Sequence, residues 1–107
     1  MDPVADVVPD RLLLRGMARG NRWAGGELQR RHAKSLYALA YGMLWDSEGA
    51  EAVVVRVFDH ARRSASEFDT AHGTVFRWLA GHVRLHAALA SAAAPPLTAG
   101  SRGASEA

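Results

Sequence analysis

Between residues 50 and 61 the apolar side chains fall at Ala50, Val53, Val54, Val57, Phe58 and Ala61. Counted from Ala50 they stand 3, 4, 7, 8 and 11 positions away, which puts all six on one side of a helix of 3.6-residue period. The alternating faces of a strand cannot give that spacing. Asp46 or Ser47 opens this helix, and the acidic residues Glu48 and Glu51 suit the partial positive charge at its start. Val55 falls off the stripe and stands beside Arg56. An exposed valine there reads either as a partner contact or as an ordinary surface side chain.

The flanking patterns predict three more helices. DRLLLRGMARG reads as a short one, with Asp10 capping its first amides, Leu12, Leu13 and Met17 facing inward, and Gly20 ending it. Gly16 inside that pattern costs about 1 kcal/mol relative to alanine. Asn21 to Gly26 reads as a joint anchored by Trp23. A long helix follows from Glu27 to Trp45, with Leu28, His32, Leu36, Leu39, Ala40, Met43 and Leu44 on its inner side and Tyr37 and Tyr41 packed at the edge. SASEFDTAHG breaks the period, with Phe68 as its anchor. Thr74 caps a last helix running to about Ala90, whose stripe is Phe76, Leu79, Val83 and Leu89 or Ala90.

These elements predict an all-α fold, a small bundle of about four helices over residues 10–90, with neighbours mostly antiparallel. Residues 1–9 form a lead-in that docks at one point. Residues 91–107, rich in alanine, proline, glycine and serine, have little to bury and are expected to be disordered. A domain of about 80 ordered residues has a marginal core, which a homodimer sharing one apolar patch would relieve.

Composition removes several functions. With no cysteine among 107 residues there is no disulfide framework and no thiolate metal site, which fits a cytoplasmic protein. No apolar run is long enough to span a membrane, and the acidic start MDPVADVVPD is unlike a signal peptide. Among the histidines, His82 and His86 are one helical turn apart and could meet a metal, but the further ligands of a normal site are missing, as is any His-Glu-x-x-His pattern. No nucleophile, base and orienting partner recur together, and no Walker lysine follows the glycines. The reading is a non-enzyme without cofactor, metal or small-molecule substrate, whose function is binding.

Charge narrows the partner. From Arg11 to Lys34 there are seven basic residues against one acidic residue, Glu27, whereas from Ser35 onward there are six against seven. A polyanion is therefore favoured by the first third of the chain. On the last helix Arg77, Trp78 and Arg84 allow an unpaired base to stack while phosphate is held. From spacing alone the same residues read more readily as a core tryptophan with arginines solvating its rim.

Taken together, Asp10, Leu12, Arg15 and Gly20-Asn21, then Leu36-Tyr37 with Leu39-Ala40, Ala50-Glu51-Ala52, Val57-Phe58, Phe68-Asp69, Gly73-Thr74 and Trp78-Leu79 recur in a familiar order. The span from Asp10 to about Ala90 resembles region 2 of the extracytoplasmic-function sigma factors, bacterial transcription initiation subunits. The resemblance implies a helical domain that binds core RNA polymerase and the −10 promoter DNA, with an anti-sigma-like regulator as a further partner. It implies a polymerase-facing group of Tyr37, Asp46, Glu51 and Phe58, the last either in contact or mainly packing, to which the surface reading adds Val55 and Arg56. It implies a DNA-facing group of Phe68, Thr74, Arg77, Trp78 and Arg84. Polar family positions are replaced here by Ala52, Val55 and Arg56, and the basic end of the last helix by Leu85 and an alanine-rich stretch. No stretch matches the helix-turn-helix that reads the −35 element in such proteins, as expected of a fragment or of a stand-alone relative. The alternative is a sigma-like interaction or dimerisation module that has lost promoter DNA binding.

Overall fold

The computed structural model describes residues 8–93. They form four α-helices, α1 (Asp10–Ala18), α2 (Arg22–Leu44), α3 (Ser47–Ser64) and α4 (Val75–Ala93), with two 3-10 turns, Ala65–Glu67 and Thr70–His72, between α3 and α4. No strand occurs among the described residues, so the all-α class holds. The expected tail lies outside them except for residues 91–93, which extend α4 by about one turn beyond the expected end. Of the lead-in only Val8 and Pro9 are described, and Val8 packs on the core.

The α3 stripe is the seam of the molecule. Ala50, Val53, Val54, Val57, Phe58 and Ala61 are all buried, none more than 8 % exposed. Each fully buried valine, leucine or phenylalanine contributes about 1.5–3 kcal/mol of transfer free energy. This apolar surface compensates the low helix propensity of three successive valines. The seam closes on Leu28, Leu36 and Ala40 of α2 and on Leu79, Val83 and Ala87 of α4. α2 is central, packing against each of the other three helices.

Caps set the helix boundaries. Asp46 accepts from Gly49 N at 3.0 Å and starts α3. Thr74 Oγ1 accepts from Arg77 N at 3.1 Å and starts α4. Asn21 accepts from Ala24 N at 3.1 Å, so α2 begins at Arg22, five residues before the expected start. The expected joint is therefore helical, and Trp23, 48 % exposed, anchors nothing. Gly25 is buried beneath Met17, where a Cβ would meet the methionine at an ordinary contact distance of 3.7 Å.

Three further expectations are corrected. In α1 the inward residues are Leu13, Leu14 and Met17, while Leu12 is exposed. Met43 and Leu89 are also exposed: Met43 shares the face of Leu36 and Ala40 but sits in the last turn of α2, and on α4 the partly buried position is Ala90, the alternative to Leu89. Asp10 does not cap α1. Pro9 holds the cap position, and the Asp10 carboxylate instead binds Arg31 at 2.9 Å and His32 at 2.6 Å, tying α1 to α2. Gly16 has a packing reason: a Cβ there would stand 3.1 Å from the Ala24 Cβ, so the glycine lets α1 and α2 approach closely.

Candidate nucleic-acid and protein interfaces

The α3–α4 connection gathers most of the DNA-facing group. The Phe68 ring meets the Trp78 ring edge-on with centroids 5.7 Å apart, and the His72 ring lies 6.0 Å from Phe68. Asp69 shapes the turn by accepting from Ala71 N at 3.0 Å. Gly73 adopts φ 90°, a left-handed conformation that suits glycine, and a Cβ there would lie 3.3 Å from Arg77 Cδ. The Arg77 side chain thus lies over Gly73. Arg84 follows Arg77 by seven positions on α4, on the same side and about 10 Å further along.

Trp78 is half-buried, held against the core and edge-on to His82 at 4.8 Å. It therefore stands as a wall against the Phe68 ring. Phe68 and Thr74 line a cleft of about 340 Å³ together with Arg11. Phe68 and Arg11 also line a second cleft of about 580 Å³, with Arg15 and Arg19 on its α1 side. Joining α1 to this site was beyond the sequence reading, which had only the basic excess of the first third as a signal.

The polymerase-facing group divides. Tyr37, Glu51 and Val55 line one apolar cleft of about 400 Å³ between α2 and α3, with Val54 at its floor. Val55 is 65 % exposed. Asp46 lies at the start of α3 as its cap, and Arg56 is exposed beside Val55. Phe58 is corrected: at 2 % exposure it belongs to the core and offers a partner no surface. The period that places Val53 and Val57 inside places Phe58 there as well. Tyr37 continues into an exposed aromatic row along α2, stacked on Tyr41 with centroids 6.1 Å apart, and Tyr41 meets Trp45 at 5.7 Å. Trp45, 76 % exposed at the left-handed end of α2, had been read only as a helix terminus.

The histidines are less scattered than in sequence. His60 of α3 faces His82 and His86 of α4, with ring centroids at 4.6 and 5.8 Å. The Nε2 atoms of His82 and His86 are buried without a hydrogen-bond partner. Burial first, then the neighbouring His60, holds both imidazoles below their ordinary value. No group of three or more histidine, aspartate or glutamate residues is arranged to hold a metal ion among the described residues. No described helix is long and apolar enough to cross a membrane. No protein family, curated protein or solved structure matches the chain.

Proposed function

We propose that the chain is a sigma-factor-like transcription initiation domain, which binds core RNA polymerase through the α2–α3 cleft and the unpaired −10 strand through the α3–α4 connection. The observation that carries this reading is the convergence of Phe68, Thr74 and Arg11 on one cleft, with Phe68 held edge-on by Trp78 and the Arg77 side chain over Gly73, which lines the same cleft. An aromatic ring next to cations is what an unpaired base and its phosphate require. The apolar cleft at Tyr37 and Val55, flanked by the Tyr41–Trp45 row, supplies a separate surface for a protein.

Two titrations test it. A labelled −10 single strand should bind the wild type at low salt and lose at least tenfold in affinity with Phe68→Ala and Arg77→Gln combined. Core polymerase should retain the wild type and release Val55→Asp. A second reading, a protein-interaction or dimerisation module without DNA binding, draws on the exposed apolar group Tyr41, Met43, Trp45 and Val55. Retention by polymerase, by an anti-sigma-like regulator or by a second copy, with no single-strand binding, would select it.

A further inference from the structure

We propose that Arg11, Arg15 and Arg19 form a phosphodiester track for single-stranded nucleic acid, running along α1 toward Phe68. This rests on the DNA-binding half of the function proposed above and extends it to a helix outside the DNA-facing group that the resemblance implies. Residues four apart lie on the same side of a helix, and each step advances the chain by about 6 Å. All three arginines line the cleft of about 580 Å³, whose opposite wall carries Phe68, Asp69 and Thr70.

These cations have no structural occupation. Arg30, Arg31, Arg62 and Arg63 all pair with carboxylates, whereas Arg11, Arg15 and Arg19 are exposed and make no ion pair with another described residue. The helix dipole accounts for only part of the row. Arg15 and Arg19 sit at the C-terminal end of α1, where a cation is favoured, but Arg11 sits in its first turn, where one is disfavoured. Asp69 is the one carboxylate lining the cleft, and its Oδ1 already accepts from Ala71 N and from the Thr70 hydroxyl. One carboxylate against three guanidinium groups leaves the cleft net positive.

Phe68 selects the kind of nucleic acid. Its ring borders both clefts and is held edge-on by Trp78, so it can stack on a base only where the base is unpaired. Arg11 borders both clefts as well, which makes it the point where the track meets the base site.

The test is a salt series of anisotropy titrations on the full chain, using labelled oligothymidylate and the same strand as a duplex with its complement. The proteins are the wild type, Arg15→Gln and Arg11→Gln/Arg15→Gln/Arg19→Gln, each with a circular dichroism check of folding. Removing three phosphate contacts lowers the slope of log affinity against log salt by about 2 on a single strand. Between about 50 and about 200 mM salt the wild type should therefore lose roughly 20-fold more affinity than the triple variant. Arg15→Gln alone should remove about one third of that slope change, which keeps the test readable if the triple variant unfolds. Equal slopes in wild type and variants would overturn the track and leave the proposed function standing. A wild type that binds no single strand would overturn both, and a duplex bound equally well with the same slope change would overturn the assignment to single strands.

Discussion

Acidification should loosen the contact between α3 and α4, because protons are excluded from it. His60 lies against His82 and His86, and the Nε2 atoms of the latter two are buried without partners. Burial is the largest cause of their lowered affinity for protons, followed by His60; Arg56 and Arg63 add to it at His86 and His72 adds at His82, where Glu67 opposes. In the unfolded chain both take up protons near the ordinary value of 6.5. Above that pH neither state is charged there and stability is flat. As pH falls below it, the unfolded chain binds protons that the folded contact refuses, so stability drops until the lower folded values are passed and then levels off. Each excluded proton is worth about 1.4 kcal/mol per pH unit, so two histidines set a ceiling near 2.7. Both rings keep some solvent contact, and the first proton to enter makes the second harder to add, so a slope of about one proton or less is expected. For a domain of this size that is a fall in melting temperature of up to roughly 6 to 11 °C per pH unit. Thermal unfolding followed by circular dichroism between about pH 7.5 and 5.5 reads it directly. His82→Phe/His86→Leu should lose most of the slope and be at least as stable as the wild type at the upper pH, since two unpartnered nitrogens leave the interior. Identical slopes in the two proteins, or a wild type that gains stability on acidification, would refute the reasoning.

Three further outcomes follow from the packing. Gly16→Ala should lower stability by about 1 kcal/mol, since the clash with the Ala24 side chain outweighs the gain in helix propensity, and urea unfolding would measure it. Asp46→Ala removes the cap of α3 and should cost about 1 kcal/mol by the same assay, while Asp46→Asn costs less. Glu27 is buried and held down to about 2 chiefly by the hydrogen bond from Arg30, with burial opposing and Arg31 assisting. Its contribution is complete above the unfolded carboxylate range near 4.5 and is lost as pH falls through about 2. Glu27→Gln should therefore flatten the acid limb of a pH-stability curve and leave the imidazole limb unchanged.

How far the sequence could be read varied with how local each feature is. The α3 stripe and the stacked Tyr37–Tyr41 pair were legible because helical period alone places them. The start of α2 differs from the expectation because Asn21, inside the expected joint, caps a helix that begins at Arg22. Asp10 looked like a cap because its partners, Arg31 and His32, lie more than twenty positions away. Of the candidate site residues, Phe68 and Trp78 meet because the connection that carries Phe68 leads directly into the helix that carries Trp78. For Phe58 the helical period and the packing reading hold, and its burial removes the contact role that the resemblance implies.

Hydrophobic period and capping residues by themselves determined that the chain is helical and where the core stripe of α3 runs. The tertiary structure alone decided that Arg11 stands beside Phe68, that His60 faces His82 and His86, and that Trp45 is left uncovered. The physical reason is range. A helix is specified by neighbours within a turn or two, whereas the meeting of distant side chains depends on how closely whole helices cross. Here that closeness is set by side-chain volume, at contacts such as Gly16 against Ala24.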